Sequence, residues 1–262
     1  MILLSEILKQ PIVAKKDLIL ELISYIDLTT LSESDTNESV LELVKKANSG
    51  FENAYPAAIC SYSRFGDLVR ENLNTPMQTV VVGIGFPLGT ITTEEKITDA
   101  ETIEKSGAQE LDIVLNHTDF FENNHKKITA EIEKIKAALK GKHLKVILET
   151  GALKTAENIK TASEVACNAG ADFIKTSTGK IPIGSTPEAV YEMCLVISNY
   201  YQKTGRRVGI KPSGGIRTFE DAAILHAIVK NTLGNDWLNP SLFRIGASSL
   251  YDNLIEKHKA LS

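Results

Sequence analysis

Residues 144–180, LKVILETGALKTAENIKTASEVACNAGADFIKTSTGK, decide the fold. Leu144–Leu148 and Asp172–Ile174 are short, apolar, β-branched runs of the kind that form strands buried on both faces. Between them Ile159, Ala162, Val165, Ala166 and Ala169 recur at helical spacing, and Gly170 marks the end of that helix. Apolar strands separated by a helix imply a parallel sheet covered on its faces.

Outward from this unit the same alternation repeats. Further strand-like runs are Ile23–Leu28, Ala57–Cys60, Thr79–Ile84, Glu110–Leu115, Val208–Ile210 and Phe243–Ile245. Ile128, Ile132, Ile135 and Leu139 recur at helical spacing, while Thr92-Thr93-Glu94-Glu95 and Ser185-Thr186-Pro187-Glu188 read as helix starts. Gly107 reads as a helix end. The helices after the sixth and seventh strands are the least regular in pattern. Eight strand–helix units in a chain of 262 residues fit an α/β protein of the (β/α)8 TIM-barrel type. An open doubly wound sheet usually has fewer. No Pro- or Ser-rich linker interrupts the series, so residues 23–262 are expected to form a single barrel domain. Residues 1–22 are expected to be a helical extension packed over its lower end.

Composition narrows the class. The 29 Lys+Arg against 33 Asp+Glu give a net charge of −4, with 43% hydrophobic and 24% charged residues, which excludes a disordered chain. The mild acidity argues against a nucleic-acid platform. No segment approaches the roughly 18 uncharged apolar residues of a membrane span. Met1–Gln10, broken by Glu6 and Lys9, does not read as a signal peptide. Cys60, Cys167 and Cys194 form no CxxC pair, and their odd number fits a reducing compartment, the cytoplasm being the expected one.

In a barrel, chemistry sits where strands end. Asp27 and Thr29 close the first strand, Cys60 the second, and Asp112 lies in the fourth; Lys145 and Glu149 belong to the fifth, Lys175 to the sixth and Lys211 to the seventh. A lone strand charge usually reads as an internal ion pair. Three lysines with several acids at one end read as a site. A lysine amine attacks a carbonyl to form a Schiff base, which then withdraws electrons for carbon–carbon cleavage. Ammonium at its reference pKa of about 10.4 is unreactive, and both burial and a neighbouring cation promote the free amine. Lys175 and Lys211 occupy equivalent positions on successive strands, so each is a candidate neighbour of the other, and these residues alone leave open which is the nucleophile.

The small-residue turns Thr178-Gly179-Lys180, Ser213-Gly214-Gly215 and Gly246-Ala247-Ser248-Ser249 follow the last strands. Singly they are tight turns. Together they fall where barrels bind phosphate on backbone amides and a helix N-terminus.

The runs at 173–179, 209–217 and 243–249, with Ile26-Asp27-Leu28-Thr29-Thr30, Phe86-Pro87-Leu88-Gly89, Glu110-Leu111-Asp112 and Lys145–Gly151, resemble the deoxyribose-phosphate aldolase family, in order and across nearly the whole chain. The resemblance implies a class I aldolase that interconverts 2-deoxy-D-ribose 5-phosphate with acetaldehyde and D-glyceraldehyde 3-phosphate, without metal or organic cofactor. It implies Lys175 as the Schiff-base lysine and Lys211 as the lysine that perturbs it. Asp112 would be the proton donor and acceptor, assisted by Lys145 and Asp27. Substrate would be bound by Thr29, Cys60, Thr178, Gly179, Lys180, Gly214, Gly215, Arg217, Gly246, Ser248 and Ser249. Ser213, Ser63 and Leu88 depart from common family residues without removing a proposed catalytic group.

Other readings are weaker. Ser177-x-x-Lys180 with Lys203-Thr204-Gly205 matches the penicillin-recognising motif only formally, because Pro182 follows where a helix is needed. Gly83-Ile84-Gly85-Phe86-Pro87-Leu88-Gly89 is not GxGxxG. The histidines form no ligand set, Cys60 reads as a packed small residue, and Trp237 as structural. The rival functions are a sugar-phosphate isomerase or synthase on the same barrel and a non-catalytic sugar-phosphate-binding protein. The expected partner is a small phosphorylated sugar, and apolar helix faces are compatible with a homodimer.

Overall fold

The computed structural model describes residues 2–74 and 76–261. Its eight parallel strands are β1 (Ile26–Thr29), β2 (Ala58–Tyr62), β3 (Gln78–Val82), β4 (Glu110–Val114), β5 (His143–Ile147), β6 (Phe173–Lys175), β7 (Gly209–Lys211) and β8 (Ile245–Ala247). Neighbours pair in sequence order, β1 also pairs with β8, and the bridges Ile210–Phe243 and Ser213–Gly246 close the ring between β7 and β8. The fold is a (β/α)8 TIM barrel.

The helices are α1 (Leu4–Ile7), α2 (Lys16–Ser24), α3 (Asn37–Ser49), α4 (Gly66–Asn72), α5 (Thr93–Ser106), α6 (His117–Phe121), α7 (His125–Ala138), α8 (Thr150–Leu153), α9 (Ala156–Asn168), α10 (Pro187–Thr204), α11 (Phe219–Leu233) and α12 (Leu250–Ala260). Thr92, Thr155, Thr186 and Thr218 cap α5, α9, α10 and α11 by accepting a backbone N–H. At α10 the cap is Thr186, with Pro187 in the first turn, and not the Ser185–Glu188 box that the pattern suggested. The helices expected to be least regular, α10 and α11, are the longest, with 18 and 15 residues. Their apolar residues spread beyond a single stripe, α11 burying Ala222, Ala223, Leu225, Ile228 and Val229. The first strand starts at Ile26, since Ile23 is still a buried residue of α2. Of the N-terminal segment, α1 packs on α10 and α11, and α2 on α11 and α12.

Period-two alternation sorts the strand side chains. Leu28, Ile59, Val81, Leu111, Val146, Ile174, Ile210 and Ile245 face the helices and are buried in the main apolar core. Each contributes about 1.5–3 kcal/mol by burial. The inner face is divided. On β2 and β3 it is apolar, with Ala58, Cys60, Val80 and Val82 packed together. On β1 and β4–β7 it carries Asp27, Glu110, Asp112, Lys145, Lys175 and Lys211, joined from just before β8 by Arg244, all buried.

Phe173 floors this charged half, with Lys145 Nζ 5.7 Å and the Arg244 guanidinium carbon 5.8 Å from its ring centre. Gly209, its register partner on β7, leaves the room the ring needs, since a Cβ there would lie 2.4 Å from the Phe173 ring. Gly209→Ala is expected to destabilise the barrel by about 1–3 kcal/mol, read as a lowered denaturant midpoint at unchanged m-value. A neutral midpoint would show that Phe173 repacks freely.

Candidate active site

The strand register delivers the chemistry to one level. Asp112 pairs with Lys145 and Lys175 with Lys211, so the two candidate nucleophiles stand side by side as their equivalent positions suggested. Their side chains converge on one carboxylate. Asp112 Oδ2 accepts from Lys175 Nζ at 2.9 Å and from Lys211 Nζ at 2.9 Å, and Oδ1 accepts from Lys145 Nζ at 3.1 Å. Asp27 Oδ2 lies 2.5 Å from Lys211 Nζ and 4.0 Å from Lys145 Nζ.

Burial and pairing compete at each group. Burial by itself would raise the Asp112 carboxyl, but Lys145, Lys175 and Lys211 hold it well below the ordinary carboxylate value. The same contest leaves Asp27 lowered, through Lys211, Arg244 and Lys145. Lys211, which burial would lower, is held above the usual amine value by Asp112 and Asp27. It is therefore a fixed cation. Cys60 is fully buried, and burial pushes its thiol up, so it stays a neutral packed side chain and does not line the cavity.

Above the charged cluster opens a cavity of about 470 Å³. Its walls hold Thr29, Thr178, Gly179, Lys180, Gly214, Gly215, Arg217, Gly246, Ser248 and Ser249, every proposed substrate-binding residue except Cys60. Of the three converging lysines only Lys175 reaches this cavity; Lys145 and Lys211 are wholly enclosed. Gly214 and Gly215 take φ of 84° and 82°, a left-handed backbone open to glycine at little cost. Ser249 precedes the first turn of α12.

Side chains brace the turns. The carboxylate of Glu149, itself at φ 53°, accepts from the Thr178 hydroxyl and, at 3.3 Å, from the Thr178 N–H. Ser213 explains its own departure from the family pattern: its hydroxyl donates to the Ser177 carbonyl, and its N–H donates to Thr176 Oγ1 at 2.8 Å. It ties the β7 turn to the β6 turn. Ser63 lies in a 3-10 turn after β2, and Leu88 is exposed, both away from the cavity walls. Trp237 is buried, with its indole N–H donating to the Val208 carbonyl at 2.9 Å.

The sequence reading gave no role to Glu110 or Arg244. Glu110 Oε1 accepts from Arg244 Nη2 at 2.9 Å and Oε2 meets Lys145, while Arg244 Nη1 donates to Asp27 Oδ1 at 2.6 Å. The signal was present, since Glu110 stands two residues from Asp112 and so shares its face, and Arg244 likewise stands two residues from Gly246.

Fold and site together bring three lysine amines round one carboxylate beneath a cavity at one end of the barrel. The DeoC/LacD family aldolase model matches residues 21–251, and the chain belongs to that family. The deoxyribose-phosphate aldolase of Homo sapiens is 36% identical over 253 residues, covering 90% of this chain and 79% of the human protein. A Caenorhabditis elegans protein provisionally given the same name is 41% identical over 251 residues, covering 92% of this chain and 82% of its own. Among solved structures, the tetrameric deoxyribose phosphate aldolase of Aeropyrum pernix matches with a TM-score of 0.71 at 27% identity, over 99% of this chain and 97% of that one. No helix among the described residues is long and apolar enough to cross a membrane.

Proposed function

We propose that the chain cleaves 2-deoxy-D-ribose 5-phosphate reversibly to D-glyceraldehyde 3-phosphate and acetaldehyde through a Schiff base on Lys175. One observation carries this reading. Lys175 alone of the three lysines joins the two halves of the site, touching Asp112 below and lining the glycine-rich cavity above.

The free amine of Lys175 attacks C1 of the open-chain sugar, and the carbinolamine loses water to give a protonated imine. Asp112, at 2.9 Å from Lys175 Nζ, takes and returns the protons of these steps. The imine nitrogen then accepts the electron pair of the C2–C3 bond through C1 as that bond breaks. The C3 hydroxyl loses its proton and becomes the aldehyde of glyceraldehyde 3-phosphate. The enamine left on Lys175 is protonated at C2, and hydrolysis releases acetaldehyde. Lys211 and Lys145 orient Asp112 and favour its return to the ionised form after each transfer. The phosphate would rest on the amides at Gly214, Gly215 and Ser249, with Gly179 lining the same wall and Lys180 and Arg217 offering charge.

The test is hydride trapping. Borohydride added with substrate is expected to fix a two-carbon adduct on the tryptic peptide carrying Lys175. An unmodified Lys175 in turning-over enzyme would overturn the reading.

A further inference from the structure

Ionic contacts run through the barrel without a break. From below, Arg244 grips Glu110 at 2.9 Å and Asp27 at 2.6 Å; Glu110 meets Lys145, Asp27 meets Lys211 at 2.5 Å, and both lysines meet Asp112, which meets Lys175 at 2.9 Å. Seven residues form this column, each no more than 3% exposed. They are four cations and three carboxylates. With every group ionised the column holds one unmatched positive charge, and water meets it only at its ends, where Lys175 lines the upper cavity and Glu110 and Arg244 line a lower pocket.

An unmatched charge among groups this deeply buried costs more than one in solvent, and loss of one proton removes it. The members are not equally placed to lose it. Lys145 faces Glu110, Asp112 and Asp27, Lys211 faces Asp112 and Asp27, and Lys175 faces Asp112 alone. Arginine does not deprotonate in proteins. The three carboxylates are already held low, burial being outweighed by their cations.

The surroundings add no second counter-charge to the column. On the inner face β2 brings the neutral Cys60 and β3 only Val80 and Val82. Glu149, buried just after β5, makes no ion pair with any of the four cations, and its carboxylate accepts from Thr178. His143 Nδ1 approaches Glu110 at 3.5 Å from the lower rim, where its side chain is 46% exposed, and Lys180 and Arg217 are exposed at the cavity. Water screens all three.

We propose that Arg244 and Glu110, neither of which reaches the substrate cavity, are positioning residues that set the charge parity of this column, Arg244 supplying the excess positive charge that leaves Lys175 as the free amine. The role rests on the Schiff-base reading of Lys175. It makes the cation beneath the barrel as necessary to the nucleophile as the lysine beside it. Removing Arg244 balances the column and lets Lys175 keep its proton. Removing the charge of Glu110 doubles the excess and drives the proton off more readily.

The experiment measures how fast acetaldehyde, with cyanoborohydride, becomes reductively attached to Lys175 as a function of pH. Amine and aldehyde condense with loss of water, hydride reduces the imine to a stable secondary amine, and peptide mapping counts the product. Acetaldehyde carries no phosphate, so no substrate ionisation enters the profile. A unit charge a few contacts away in a medium of effective dielectric about 20 moves such a titration by about one pH unit. In Arg244→Met the half-maximal pH is expected to rise by about one unit with the alkaline plateau kept, and Arg244→Lys is expected to restore the wild-type value. In Glu110→Gln it is expected to fall by about one unit. Shifts in opposite directions are something a merely structural role does not produce. Coincident profiles, shifts of the same sign, or a uniform loss at every pH in folded protein would overturn the proposal. If Arg244→Met does not fold, the sign of the Glu110→Gln shift decides. Failure of wild-type enzyme to label on Lys175 would remove the Schiff-base reading itself, whereas unshifted variants that still label on Lys175 would leave it standing.

Discussion

Lys175→Met lowers cleavage of 2-deoxy-D-ribose 5-phosphate by at least about 10⁴-fold and abolishes the hydride-trapped adduct, while the protein stays folded and still binds the sugar phosphate. The size of the loss follows from what the amine supplies, since without an imine no group in the cavity accepts the electron pair of the breaking bond. Folding is spared for a reason visible in the column. Methionine has nearly the length and volume of lysine without its charge, and it leaves three cations facing three carboxylates. Binding is spared because the glycine turns and the start of α12 do not depend on Lys175. Calorimetry with the sugar phosphate and steady-state assays on the same preparation separate the two effects. Turnover that survives the substitution would favour an isomerase or synthase using the same phosphate turns without an imine.

How much of this was legible in the sequence depends on whether a signal was local. Lys175 and Lys211 could be placed side by side because both end short apolar runs, and adjacent parallel strands align such ends. The phosphate turns were legible because glycine marks positions whose backbone must approach an anion. The border between α2 and β1 was not, since Ile19, Leu22, Ile23, Ile26 and Leu28 are all fully buried and no turn residue divides them. In the structure Ile23 still belongs to α2, which ends at Ser24. The choice of nucleophile was likewise invisible, because it depends on depth: Lys175 meets the cavity, while Lys211 lies sealed between two carboxylates.

Arg244 and Glu110 show a third kind of limit. Each belongs to a run whose resemblance to known aldolases is plain, yet neither lies at a strand's upper end, where function was sought. Their partners are far away in the chain, Arg244 standing 217 residues from Asp27 and 134 from Glu110. Pairing across such separations is set by barrel closure, which no local pattern encodes. Alternation does narrow the search, because a charged residue on the inward face of an apolar strand needs a partner somewhere on that same face.

Asp112→Asn is expected to reduce kcat by about 10²–10⁴-fold and to destabilise the protein by about 3–5 kcal/mol, both from a single lost charge. The asparagine side chain fills the same space, but it brings an amide N–H₂ into a pocket where three lysine nitrogens need acceptors. With Lys175 as the free amine, it also leaves three cations facing two carboxylates. Labelling on Lys175 is expected to continue, only more slowly, because the amine remains and what is missing is the group that moves its protons. The pH dependence separates the electrostatic loss from simple misfit. Asp112 titrates lower in the folded protein than in the unfolded chain, despite its burial, because the lysines outweigh that burial. Its stabilisation is therefore fully present above the unfolded carboxylate value of about 3.9 and is lost as the pH falls toward the folded value. The gap in melting temperature between wild type and Asp112→Asn should accordingly be widest near neutrality and close as the solution is acidified below about pH 4. A gap that stays constant through that range would mean that shape, and not charge, is what Asp112 contributes to the fold.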